Sequence, residues 1–503
     1  MNNYKYTLLL LLSLGLVSCD VNNELDEIEA EIVEEVLLNT NGLDFSKYVS
    51  VGASFTSGYS DGALFIAAQE SSFPNILAGK FGTDFTQPLM NDNIGGMALG
   101  SSVVLEPRLY FNGAGPARLA ATPTTQLTDV ISGPFNNMGV PGAKSFHLGV
   151  PGYGTLNPYF GRMASSPAAT VLGDALAQSP TFFTLSEIGG NDVLGYATSG
   201  GSGVDQTGNF DPSTYGGNDI TDPNVFAQVF SGMTTALTAN GAKGVVANVP
   251  YVTSLAYFTT VPHNPVPLDA ATAAFVNGAY AAYNGGIQQA FGALVGYGLM
   301  TQEQADAEVA QRTISFAAGQ NAVVIVDEDL TDLGAINPAF AAIPQYRQAT
   351  ADDLIVLTAA SFIGTLADPN NPATVNGVGV PLANQWVLTA KEQAKVKTAT
   401  DAYNTTIEAI VAANPNLALV DFKGVLQEAS TGIQFDQYVM NTSLVFGGLI
   451  SLDGVNLTAR GYALMANKIL AAMDAEFGSN FTMATGGLAK AKDYVTNFSP
   501  MLP

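Results

Sequence analysis

The sequence predicts an α/β fold built on a mainly parallel sheet. Short β-prone runs alternate with longer stretches of helical periodicity from residue 48 to residue 477. One run, Gly244-Val245-Val246-Ala247-Asn248-Val249, is apolar without a period of two, as in a strand covered on both faces. The chain of 503 residues is 47% hydrophobic, ample for a large core. Length alone allows one big domain or two to three ordinary ones.

The elements follow in order. Tyr48-Val49-Ser50-Val51 is β-prone and runs into Gly52, a strand ending at a turn. Helical periodicity covers Ala63 to Phe81. Residues 84–135, rich in Gly, Pro, Asn and Thr, read as a long irregular excursion. Thr181 to Ile188 is a strand, and 199–222 is a low-complexity Gly/Asn/Asp/Ser loop. Asn224 to Ala239 and Ala270 to Phe291 are helices, and Ala322 to Asp327 is a strand. Helix Lys391 to Ala413, strand Leu417 to Asp421 and helix Ala459 to Phe477 close the fold. Ala282-Tyr283-Asn284 with its following strand echoes Ala402-Tyr403-Asn404 with its own. That echo reads either as a duplicated helix–strand unit or as shared helix composition.

Charge and cysteine usage narrow the function. Against 43 acidic residues stand 18 basic ones, a net charge of −25. This argues against nucleic-acid binding and against electrostatic docking on anionic lipid. One cysteine and two histidines leave no disulfide framework and no expectation of a metal site. No cofactor motif is present, and none is expected. The cysteine, Cys19, follows Lys5, an apolar run from Thr7 to Val17 and the residues Leu16-Val17-Ser18. The run is too short to span a bilayer. The segment resembles a bacterial lipoprotein signal, which implies cleavage before a lipidated Cys19 and a membrane anchor by acyl chains. Residues 20–36 carry eight carboxylates and no basic residue. They read as an extended tether, or as a short amphipathic helix through Leu25, Ile28, Ile32 and Val36. Acidic residues behind the cysteine resemble the surface-export signals of some Bacteroidetes lipoproteins. The division expected is therefore a signal at 1–18, a tether at 19–45 and a folded domain at 46–478. Insertions fall near 84–135, 199–222 and 255–385, and a tail occupies 479–503.

Four blocks carry chemistry. They are Gly52-Ala53-Ser54-Phe55-Thr56 after the first strand, Asn136 to Ala143, Gly189-Gly190-Asn191-Asp192 after another strand, and Asp453-Gly454-Val455-Asn456 before the last helix. Singly, each reads as a turn, a loop or a helix cap. In this order, at strand ends, they resemble the blocks of the SGNH (GDSL-type) hydrolase family of lipases and esterases. The flanks agree at Ser72-Phe73-Pro74-Asn75-Ile76-Leu77-Ala78 and at Gly241-Ala242-Lys243-Gly244. The resemblance covers residues 46–478 and implies a three-layer α/β/α sandwich with large loop insertions. It implies Ser54 as nucleophile, with Gly139 and Asn191 completing an oxyanion hole and Asp453 orienting a base. It also implies an ester-type small-molecule or lipid substrate and a lipid-anchored place in the cell envelope, at the outer membrane of a Gram-negative bacterium.

The chain departs from that pattern twice. Ala53 stands where the family has aspartate, and Asn456 where it has the catalytic histidine. A carboxamide has no useful basicity near neutral pH. Two expectations follow: an ester hydrolase with impaired turnover, or an inactive relative that binds an acyl or glycan ligand or an outer-membrane partner. His147, eight residues after Gly139, His263, in a Pro-rich loop, and Asp453, acting directly or through water, are the candidate substitute bases.

Overall fold

Five apolar segments assemble one sheet. The computed structural model describes residues 35–502. Cys19, the signal-like segment and almost all of the acidic stretch lie outside the described residues. The strands are β1 (Tyr48–Gly52), β2 (Asn137–Gly139), β3 (Phe182–Leu185), β4 (Lys243–Ala247) and β5 (Leu417–Val420). They pair in the order β5-β4-β3-β1-β2, parallel throughout. Met138, Val51, Leu185, Val246 and Leu419 stand side by side across the sheet. Every residue of β1 and β3 is buried, so these strands need no alternation of polar and apolar residues. The order reverses between β1 and β3. In open α/β sheets such a reversal leaves a crevice at the carboxyl ends of the two strands, where ligands bind.

The helices that position this crevice are α1 (Ser54–Ser57), α2 (Phe73–Phe81), α3 (Asn191–Thr198) and α4 (Pro223–Thr238). Further on come α5 (Ala270–Gly296), α6 (Gln302–Arg312), α7 (Ala390–Ala413), α8 (Phe422–Thr431) and α9 (Ala459–Phe477). Helix α9 packs against α2, β4 and β5, while α7 packs against α3, α4, β4 and β5. The single helix expected over 63–81 is two, Ile66–Glu70 and α2. Ser72 is extended, and Pro74 lies in the first turn of α2. Proline suits a helix start because its missing N–H would have no partner there.

The insertions are more ordered than their composition suggests. Residues 84–135 contain two antiparallel hairpins, Met97–Leu99 with Ser102–Leu105 and Leu109–Phe111 with Pro116–Arg118. Within 255–385, α5 and α6 share a small core of Ile287, Ala290, Phe291, Leu294, Ala305 and Leu333. The predicted strand near 322–327 forms as Val324–Val326 but pairs antiparallel with Tyr346–Gln348, outside the central sheet. The duplicated-unit reading therefore fails, because only the second copy ends in a central strand. Buried Arg347 ties this insertion together through Asp327 at 2.6 Å and Asp353 at 2.6 Å. The segment after α9 also joins the body. Phe481 is fully buried and meets Phe45 edge-on, and Ser499 O accepts from the Arg108 guanidinium at 2.6 Å.

Candidate functional site

The four sequence blocks converge on the carboxyl ends of β1 and β3. Gly52 ends β1, and the chain turns at once into α1, which begins at Ser54. The turn is tight. A Cβ on Gly52 would lie 2.1 Å from Thr56 Oγ1 and 2.5 Å from Ser186 O, so only glycine fits. Asn191 opens α3 after β3. Ser54, Asn191 and Asn456 share the wall of one cavity of about 970 Å³, counting its open mouth. Its remaining walls are mainly apolar, with Leu194, Val252, Phe422, Val425, Leu464 and Met465 prominent.

No described residue hydrogen-bonds to the Ser54 hydroxyl or to its amide. The neighbouring amides are taken. Glu187, just past β3, reaches across with Oε1 2.6 Å from the Phe55 N–H nitrogen, and Oε2 3.1 Å from that of Ala53 and 2.9 Å from that of Thr56. Sequence reasoning missed Glu187, because no spacing marks a carboxylate that acts across two strands. One signal was available: a glutamate directly after an apolar strand, where burial is costly without partners. Its backbone is also left-handed, φ +63°, a strain that such sites concentrate. Burial pushes its carboxyl up to about 7, against the pull of the three amides.

The 136–147 segment lies beside α1. Gly139 does not offer its amide to the cavity, because that N–H donates to Asn137 Oδ1 at 3.0 Å. Its place is steric instead: a Cβ there would lie 2.3 Å from Ser57 N. Gly139→Ala is thus expected to lower stability by about 1–3 kcal/mol, read as an earlier thermal unfolding transition. The unbonded amide belongs to Gly142. Pro141 and Gly142, with φ +77° at Gly142 and the Ala143 N–H donating to Val140 O at 3.1 Å, have the arrangement of a type II turn. Gly142 is exposed, has no atom near its Cβ direction, and lines a shallow recess with Ser54, Tyr59 and Tyr159. Asn191 and Asp192 fix this segment. Asn191 Nδ2 donates to Ala143 O at 2.9 Å, and Asp192 accepts from Ser145 N at 2.9 Å and Ser145 Oγ at 2.6 Å. The second amide hydrogen of Asn191 stays available.

Asp453 and Asn456 form a pair. Asn456 Nδ2 donates to Asp453 Oδ2 at 2.9 Å, and the Asn456 N–H donates to Asp453 Oδ1 at 2.8 Å. This loop is fastened to the stretch after α1. Gly62 N donates to Asp453 Oδ2 at 2.8 Å, Ser60 Oγ to Leu457 O at 2.9 Å, and Leu452 N to Asp61 Oδ1 at 3.0 Å. Tyr462 of α9 donates to Tyr59 O at 2.6 Å. Asp61 is buried with Oδ2 unpartnered. Burial, reinforced by Asp453, pushes its carboxyl up to about 7. The insertion touches the same loop, for Tyr257 N donates to Gly454 O at 2.9 Å.

Neither histidine completes the arrangement. His147 Nδ1 accepts from the Lys144 amide at 3.1 Å, and its ring stacks on Tyr153 at 4.6 Å. Burial holds it down at about 4, so the ring is neutral and structural. His263 contributes only its carbonyl, which accepts from Val323 N at 3.1 Å. Neither ring hydrogen-bonds to Ser54 or lines the cavity. Among the described residues, no group of side chains could hold a metal ion, and no helix is long and apolar enough to cross a membrane.

The arrangement places a Ser54 hydroxyl with no partner among the described residues on the wall of an apolar cavity, and leaves donors at Ser54 N, at Gly142 N and in the second Nδ2 hydrogen of Asn191. It cannot hand a proton on by imidazole. Comparison with family models, curated proteins and solved structures finds no match to this chain.

Proposed function

We propose that this is an SGNH-type ester-hydrolase site that holds an acyl ester with its chain in the apolar cavity, and that turnover is slow because position 456 lacks an imidazole. The observation that carries the reading is the Ser54 hydroxyl, with no partner among the described residues, on the wall of that cavity. In the reaction, Ser54 Oγ bonds to the ester carbonyl carbon. Charge moves to the carbonyl oxygen, where the amides of Ser54 and Gly142 and the Asn191 carboxamide can receive it. The serine proton must leave, and the departing alkoxide must gain one. Asn456 can accept a hydrogen bond through Oδ1 but cannot take the proton, so both transfers fall to water. Binding and oxyanion stabilisation alone are worth ~10³–10⁴ over water in serine proteases stripped of their triad.

The strand order and the two sets of helices around the sheet are consistent with a three-layer sandwich of this family. The envelope location rests on Cys19 and its preceding residues alone. A second reading, a binding protein that has left catalysis, is favoured by the absence of either histidine from the cavity. Hydrolysis of p-nitrophenyl acetate, butyrate and octanoate separates the two. Slow turnover that improves with chain length and is lost in Ser54→Ala is expected for the hydrolase. Each methylene that enters the cavity adds about 0.8 kcal/mol. Leu464→Trp, which fills the cavity, should erase the preference for octanoate. Turnover that survives Ser54→Ala rules out the nucleophile assignment. Octanoate binding without Ser54-dependent turnover supports the second reading.

A further inference from the structure

Helix α1 has a defective start. Its N-cap residue is Ala53, which makes no side-chain cap. Helix starts leave several amides without internal partners, and a short polar side chain at the N-cap ordinarily receives one of them. Here the missing acceptor is supplied from another strand. Glu187 takes the amides of Ala53, Phe55 and Thr56 at 3.1, 2.6 and 2.9 Å. Ser57 N is bonded to Ala53 O at 3.1 Å. Of the five amides from 53 to 57, only that of Ser54 has no partner among the described residues.

We infer that Glu187 is the positioning residue of this site, a carboxylate from the end of β3 that replaces the N-cap that Ala53 cannot provide and leaves the Ser54 amide as the one amide of this turn free for a ligand oxygen. The selection follows from geometry. A two-oxygen acceptor that bridges residues 53, 55 and 56 fixes the peptide planes on both sides of Ser54. The plane between them is held without being consumed. Glu187 also ties the end of β3 to the turn after β1, so the Asn191 carboxamide, four residues on, is set relative to Ser54 through one side chain. The left-handed backbone at Glu187, φ +63°, is what aims that side chain back across the strand ends. Apolar or β-branched residues tolerate this conformation poorly.

The inference rests on the ester-hydrolase reading for its consequence but not for its geometry, so the test has two readouts. The first is amide hydrogen exchange of residues 53–57, which involves no chemistry at the site. Glu187→Ala is expected to speed exchange there at least tenfold, with α7 and α9 unchanged. Adding Ala53→Asp should restore protection at residues 55 and 56, because an N-cap aspartate accepts from those two amides. The second readout is the dissociation constant of phenylboronic acid, whose boron bonds to Ser54 Oγ as the serine proton passes to water, giving a tetrahedral boronate that places an oxygen against the oxyanion donors. Glu187→Ala should weaken binding at least tenfold, with recovery in the double variant. A merely structural glutamate would not be rescued by an aspartate at 53. If Glu187→Ala does not fold, Glu187→Gln serves. Its amide keeps one acceptor and turns a donor toward the N–H groups, and it should show the same signs at smaller size. Unchanged exchange in the Glu187 variants overturns the inference, whatever the boronate does. Native boronate binding no tighter than that of Ser54→Ala overturns the ester-hydrolase reading, while altered exchange still upholds the role of Glu187 in the turn.

Discussion

Replacing Asn456 by histidine is expected to raise kcat/KM for p-nitrophenyl butyrate by at least ~10³-fold, because loss of a triad histidine costs ~10⁶ in turnover. The site is already arranged for it. Asn456 lines the cavity with Ser54, and its Nδ2 donates to Asp453 Oδ2 at 2.9 Å. An imidazole in that place can give its Nδ1–H to Asp453 and leave Nε2 for the serine proton. Asp453 is held in turn by the amides of Gly62, Val455 and Asn456, each at 2.8 Å. It therefore needs no rearrangement to orient a ring. Steady-state assay of Asn456→His checks this, with Asn456→His/Ser54→Ala expected to return to background. No rise in the single variant would mean that more than the base is absent, and would favour the binding-protein reading.

Stability should fall as pH rises from about 4 to about 7. Three carboxyls, Asp61, Glu187 and Glu392, are pushed up to about 7, chiefly by burial. The folded chain therefore holds these protons more tightly than the unfolded chain, whose values are near 3.8 for Asp and 4.5 for Glu. Below the unfolded values both states are protonated and the contribution is fully present. Between those values and about 7 the unfolded chain releases protons first, and stability is lost. For Glu187 the whole step is roughly 3 kcal/mol at most at 1.36 per unit, less where cavity water screens the charge. Even one such step is a sizeable share of the ~5–15 kcal/mol of a typical domain. Calorimetry across this range should show the melting temperature declining with pH, and Glu187→Gln should flatten part of that decline. A melting temperature that climbs steadily from about pH 4 to about pH 7 would contradict the account. The opposite limb belongs to Asp353. Burial opposes its ionisation, but Arg347 and the Thr350 amide hold its carboxyl below the usual value. Its contribution is present above 3.8 and is lost as pH falls through the lower folded value.

Strands β1, β3, β4 and β5 were legible because each is a short apolar run between turn residues. Strand β2 was not. Asn137-Met138-Gly139 has no β-prone run, and it becomes a strand only because β1 offers an edge and Asn137 Nδ2 anchors to Thr56 O at 2.9 Å. Val324–Val326 reads as a strand from composition, but no local signal says which sheet it joins. Ser54, Asn191 and Asn456, which line one cavity, and Asp453, which is bonded to Asn456, were named in the sequence by the resemblance of their blocks to a known family. Gly142 and Glu187 were not. Which of two nearby glycines keeps its amide free depends on an asparagine side chain. A left-handed glutamate bridging two strands has no periodicity to betray it.

The stitching of the Tyr59–Gly62 stretch to the segment 452–462 joins residues 391 to 403 positions apart. Ser54 is thus made early in synthesis and Asp453 very late. A growing chain carries Ser54 for most of its length without Asp453 and Asn456, and the pocket wall from α8 and α9 arrives last as well. Contacts of such long range form slowly. Occupation of the cavity therefore requires a chain translated almost to its end. The protein is built so that a fragment truncated before residue 450 exposes the serine but has no finished place for a ligand beside it.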